Sequence, residues 1–111
     1  MDFTKQLITP EGEKWETDEQ YTDEKGIIAT KKVPLTFFRL ARESLLGSKV
    51  GGRILSCPTV AVWRLNVFNK INAVPTDAQL TFFDKVLLKK LVALRFDIAP
   101  AAKLINMING K

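Results

Sequence analysis

Histidine is absent from this chain of 111 residues, and cysteine occurs once, at Cys57. No intrachain disulfide can form, and four soft ligands cannot be gathered for a structural zinc. Without histidine the commonest general base is missing, and with it every Ser-His or Cys-His pair. A helix start would activate Cys57, which stands just before Pro58. With no base to accompany it, the thiol reads as structural or incidental.

Long uncharged apolar runs are lacking too. The oiliest stretch, 80–98, is interrupted by Asp84, Lys85, Lys89, Lys90, Arg95 and Asp97, so no transmembrane helix and no membrane partner are predicted. The opening MDFTKQLITPEG has no basic segment followed by an apolar one, so no signal peptide is expected and the expected location is the cytosol. The acidic run 11–24 has neither the DxDxDG ligand order nor the closing glutamate of an EF-hand loop, so it reads as solvated. Gly51-Gly52 between Lys49 and Arg53 lacks the spacing of either phosphate-binding glycine motif, so 47–56 reads as a connector. No catalytic residue, metal ligand or cofactor is predicted, and the chain is not expected to be an enzyme.

What is present is enough for one core. Apolar residues make up 46% of the chain, above what a disordered segment carries, and the length fits a single domain over 1–111. Charge is divided unevenly along it. Residues 1–26 hold eight acids against three lysines; residues 27–111 hold four acids against fourteen bases. That split suggests an acidic arm, 1–33, on a basic helical body, 36–109, or a basic surface meant for a partner.

The predicted fold is mainly α, of the α+β class: an N-terminal β-hairpin followed by a bundle of about four helices. Phe3, Leu7 and Ile8, the turn cluster Pro10-Glu11-Gly12 and the extended Lys14 to Thr17 predict a hairpin over 1–17. Polar 18–26 reads as a loop, and 27–33 as a short strand. Thr36 caps a helix over 37–46, with Phe37, Leu40, Ala41, Ser44 and Leu45 inward and Gly47 in the usual left-handed closing role. Pro58 opens a helix over 58–71 with a broad apolar arc that includes Val60, Ala61, Trp63, Leu65, Val67, Phe68 and Ile71. Thr76 and Gln79 have capping-box spacing, which starts the next helix at 77. Its predicted core stripe is Leu80, Phe83, Leu87, Leu91 and Leu94, with Phe82, Lys85, Lys89 and Lys90 off that stripe. A last helix, about 100–109, carries Leu104, Ile105 and Ile108 and closes at Asn109-Gly110.

Three functions compete. Trp63, Phe38, Phe68, Phe82 and Phe83 exceed one apolar stripe per helix, and surplus aromatics beside arginines have the composition of protein interfaces. The candidate partner-binding residues are Phe82, Lys85, Lys89, Lys90, Arg39 and Arg42. The alternative is nucleic-acid binding, with Arg64, Lys70, Arg95 and Lys103 joining those bases to neutralise phosphates. No aromatic-interleaved RNA motif is present, and a helix-turn-helix over 58–94 would present apolar Leu80, Phe82 and Phe83 where base-reading side chains belong. The third function is homo-oligomerisation through the 80–94 face, as a virion or assembly component.

The segments FTKQLITPEGE, PLTFFRLARESLL, WRLNVFNKI, TDAQLTFFDKVLLKKLV and APAAKLINMIN, in that order, resemble the layout of small tailed-bacteriophage accessory proteins. The likeness lies in hydrophobic patterning and carries no site residues. It implies a phage factor, in the host cytoplasm or the virion, that acts by contact with a host or viral protein.

Overall fold

The computed structural model describes residues 1–47 and 57–110. A two-stranded antiparallel hairpin, β1 (Glu16–Thr22) and β2 (Ile28–Pro34), precedes four helices: α1 (Phe37–Leu46), α2 (Pro58–Ala73), α3 (Phe82–Arg95) and α4 (Ile98–Ile108). This is the α+β arrangement expected. α1 lies at the centre and packs against the other three helices, while α4 also packs along α3.

The hairpin differs from its expected position. The reversal at Pro10–Gly12 does form, but only an isolated Ile8–Lys14 bridge pairs its arms. The continuous ladder lies further on and takes in 18–22, which the polar composition marks as loop. Charge explains it: the register sets Asp18 opposite Lys32 and Glu19 opposite Lys31, and Asp18 pairs with Lys32 at 3.2 Å. Opposite charges across the ladder stabilise a ribbon whose one face is in water and whose other face, with Thr17, Glu19, Ala29 and Val33, is only half-buried, so a strong apolar alternation is not needed. The turn at 23–27 is built on Asp23, whose carboxylate accepts from the N–H groups of Lys25 and Ile27, both at 2.9 Å. Gly26 supplies the positive φ, +78°, that closes it.

Below the hairpin, three segments meet in a closed ring of backbone bonds. Leu7 N–H donates to Leu35 O (2.8 Å), Leu35 N–H to Trp15 O (2.9 Å), and Trp15 N–H to Leu7 O (2.8 Å). The first residues then thread into the body. Phe3 N–H donates to Pro75 O, Phe38 N–H to Phe3 O, and Ala78 N–H to Met1 O. Phe3 and Leu7 are buried with Leu40, Leu45, Ile71, Leu88, Leu91 and Leu104 in a single core.

α1 has the predicted bounds, with the Thr36 hydroxyl accepting from Arg39 N–H. Its end departs from expectation. Gly47 has φ −65°, outside the left-handed region, so it does not close the helix as a left-handed residue. Its N–H donates to Glu43 O, while other carbonyls of the last turn are reached by a side chain from α2. α2 runs two residues past the predicted end and buries a narrower arc: Ala61 and Leu65 are exposed.

α3 starts at 82, five residues later than predicted. Its capping box is Thr81 with Asp84, not Thr76 with Gln79. The Ala78 N–H is taken by Met1 O, and buried Ala78 anchors 76–81 as a turn under the N-terminal segment. The helix is also rolled relative to the predicted stripe. Asp84, Leu87, Leu88, Leu91 and Val92 are buried, whereas Phe83 and Leu94 are exposed and Leu80 lies before the helix. α4 begins at Ile98, placing Pro100 in the first turn, where a missing N–H leaves no intrahelical bond unmade.

Candidate partner-binding surface

Two polar clusters fix how α1, α2 and α3 sit, and both use residues that resemble surface charge in the sequence. Arg64 is buried. Its Nε donates to Leu45 O (2.9 Å), and its Nη2 to Gly47 O (2.6 Å) and Ser44 O (3.4 Å). A guanidinium at the carbonyl end of α1 satisfies acceptors the helix leaves open and matches the negative end of its dipole. Arg64 is therefore a helix clasp, not a phosphate contact as expected.

Asp84 is the second cluster. Trp63 Nε1 donates to Oδ1 at 2.9 Å and Lys70 Nζ to Oδ2 at 2.6 Å, while Asp84 and Thr81 exchange the two capping bonds at 3.2 Å. Burial pushes the carboxyl upward, but the bonds from Lys70, Trp63 and Thr81 together outweigh it and hold the pKa at about 2. One carboxylate thus ties the middle and end of α2 to the start of α3. Lys70, read from sequence as a phosphate neutraliser, is engaged here.

The same start of α3 turns its other side to water. Phe82 is 72% exposed and Phe83 68%, their rings 5.6 Å apart and edge to face. Of the five surplus aromatics, only these two stand in solvent. Trp63, Phe38 and Phe68 pack against the core, the last two with ring centroids 5.9 Å apart. Helical spacing sets Lys85 and Lys89 behind Phe82, and Val86 and Lys90 behind Phe83. The only acid on α3 is Asp84, which is buried and occupied. Among the described residues, Lys85, Lys89 and Lys90 have no carboxylate partner, and Lys89 donates to Asn109 Oδ1 at 3.1 Å.

The other two sequence candidates lie apart on α1. Arg39 is half-buried between Glu19 of β1 (3.5 Å) and Glu43 (3.4 Å), which makes it the point where the acidic hairpin touches the helical body. Arg42 is exposed and lines a shallow concavity with Glu43, Leu46, Gly47 and Arg95. A second concavity, of about 400 Å³, places Lys5 and Lys103 around Asp2. Phe82, Lys85, Lys89 and Lys90 lie off the core stripe as predicted, and Phe83, assigned to that stripe by its spacing, is exposed beside Phe82.

Other readings are narrowed by the same geometry. The connector between α2 and α3 spans 74–81, longer than the three- or four-residue turn of a helix-turn-helix. Among the described residues, no group of three or more His, Cys, Asp or Glu side chains is placed to hold a metal ion. No helix among them is long and apolar enough to cross a membrane. The glycine pair at 51–52 lies outside the described residues. Comparison with protein-family models, with curated proteins and with solved structures gives no match.

Proposed function

We propose that this chain is a non-enzymatic phage accessory protein that acts by binding another protein, with the outer face of α3 as its contact surface. The observation that carries the reading is the pair Phe82–Phe83, two adjacent phenylalanines held in water at a rigid, capped helix start. Aromatic anchors with a charged border are the usual energetic centre of a protein interface, and Lys85 and Lys90 supply that border. Nucleic-acid binding draws less support, because Arg39, Arg64 and Lys70 are engaged within the fold. The phage-like segment order supports a partner met during infection, in the host cytoplasm or the assembling virion, with inhibition of a host factor or help in assembly as the outcome.

The test is a pull-down from host and infected-cell lysates with the unmodified chain and with Phe82→Ala. The reading expects a protein retained by the first and lost by the second, with matching circular dichroism and Tm. Retention of nothing by the unmodified chain in either lysate sinks it. Capture of duplex or single-stranded nucleic acid that weakens steeply with salt, and no protein, transfers the function to the alternative.

A further inference from the structure

The cavity between the N-terminal segment and α4 shares no residue with the α3 face. It holds about 400 Å³ and is lined by Asp2, Lys5, Phe37, Lys103, Asn106 and Met107. Three elements build it. Phe37 N–H donates to Lys5 O at 3.1 Å and Phe38 N–H to Phe3 O at 2.7 Å, which lays residues 3–5 along the start of α1. α4 packs against α1 and brings Lys103, Asn106 and Met107. Their spacing of three and four residues puts them on one face of that helix, beside the face that Ala101, Leu104 and Ile108 bury.

The lining is chemically uneven. Phe37 and Met107 pack against the core and give the cavity an apolar wall. Lys5, Lys103 and Asn106 bring N–H donors. Asp2 is the one acid in the lining, and its Oδ1 accepts from the Thr4 N–H (2.9 Å) and hydroxyl (2.5 Å). Those bonds from Thr4, with Lys5 nearby, lower its pKa and keep it a carboxylate. Asp2 thus answers one of the two lysines, and one positive charge is left over. Lys103 is half-buried, α4 carries no acid, and among the described residues neither Lys5 nor Lys103 has an ion-pair partner. A half-buried ammonium without a counter-ion gives up part of its water and gains nothing in return. We propose that this cavity binds a small organic monoanion, a carboxylate on an apolar body. The carboxylate lies between Lys103 and Lys5 with the Asn106 amide as a further donor, and the body lies on Phe37 and Met107. The volume is in the range of small-ligand sites, and the mixture of an apolar wall with a few polar groups is their usual lining. Asp2 sets the limit on charge: a phosphate dianion would bring two negative charges to one surplus positive and leave the apolar wall uncovered.

Titration of the isotope-labelled full chain, followed by NMR, tests this. The probe is 3-phenylpropionate, with its amide as the neutral match and inorganic phosphate as a bare anion. The carboxylate is expected to shift the signals of Asp2, Lys5, Phe37, Lys103, Asn106 and Met107 together and to saturate. Its neutral amide is expected to bind about tenfold more weakly, for want of a charge-assisted hydrogen bond. Lys103→Met and Lys5→Met keep bulk and remove charge, and each is expected to weaken carboxylate binding about tenfold for the same reason. Lys90→Met, on the α3 face, is expected to leave it unchanged. Circular dichroism checks that each variant folds, and Lys5 is exposed, so its variant probes the site even if Lys103→Met unfolds. Three results overturn the proposal. The first is no saturable shift at these residues up to about 10 mM carboxylate, the weak end for a ligand of this size. The second is equal binding of the carboxylate and its amide, which makes the cavity an apolar crevice. The third is equal binding of phosphate, which makes it a general basic surface. None of them touches the α3 contact, which the pull-down through Phe82 decides separately.

Discussion

The inner side of α3 carries Asp84, Leu87, Leu88, Leu91 and Val92; the outer side carries Phe82, Phe83, Lys90 and Leu94. The distribution runs against hydropathy. A charged residue is inside with every oxygen engaged, and the two bulkiest apolar residues of the helix are outside. Burial of a charge is tolerated when hydrogen bonds replace its water, as those from Lys70, Trp63 and the Thr81 N–H do for the Asp84 carboxylate. Exposure of a phenylalanine costs the fold little, because the chain forgoes a gain and leaves no group unsatisfied. The inner side therefore answers to stability, and the outer side is free to answer to something else.

Four measurements would break or sharpen that contrast. Leu88→Ala, at a fully buried inner position, is expected to cost about 3 kcal/mol in chemical denaturation. A loss under 1 kcal/mol would mean that α3 is not seated as described. Asp84→Asn comes next, at about 2 kcal/mol near neutral pH, the value of a carboxyl held near 2 against an ordinary 3.8. Because the folded pKa is lowered, that contribution is complete above about 3.8 and is lost as pH falls through about 2. The stability gap between the unmodified chain and the variant should therefore close between pH 5 and pH 2 in parallel urea titrations. A gap that is constant with pH would assign the loss to packing instead.

Ser44→Ala is the third, with a smaller effect of opposite sign. The Ser44 hydroxyl is fully buried and finds no hydrogen-bond partner, so its removal should leave stability unchanged or raise it by up to about 1 kcal/mol. Thermal denaturation would show a Tm at or above that of the unmodified chain; a clear drop would reveal a partner for the hydroxyl in solution. The smallest effect on stability belongs to Phe82→Ala, expected within about 0.5 kcal/mol because the ring is on the surface. A loss of 2 kcal/mol or more would make Phe82 part of the core and erase the distinction between the two sides.

How far this could be read from the sequence depended on how local each signal was. The α1 bounds follow from Thr36 and a clean stripe, and both are local. The start of α3 was ambiguous, since Thr76 with Gln79 and Thr81 with Asp84 each have capping-box spacing. The choice between them is made by the Ala78 N–H pairing with Met1, a contact 77 residues apart in the chain. Arg64 could not be distinguished from a surface base, because its partners are carbonyls at the end of another helix. The strand over 16–22 was hidden by its polarity, for its half-buried face carries Thr17 and Glu19 instead of large apolar residues. Phe82 was legible as an outlier to the stripe, while Phe83 shares the spacing of buried residues and needed the observed roll of the helix.

The threading of residues 1–8 through the body also has a temporal side. Phe3 and Met1 find their backbone partners at Pro75 and Ala78. On a ribosome adding about 5–20 residues per second, those partners follow roughly 4 to 15 s after Phe3 is made. Throughout that interval Phe3 and Leu7 lack most of their core, so the chain closes late in its own synthesis. Residues 1–8 therefore settle only after 75–78 are made, and until then their apolar side chains are open to whatever the nascent chain meets.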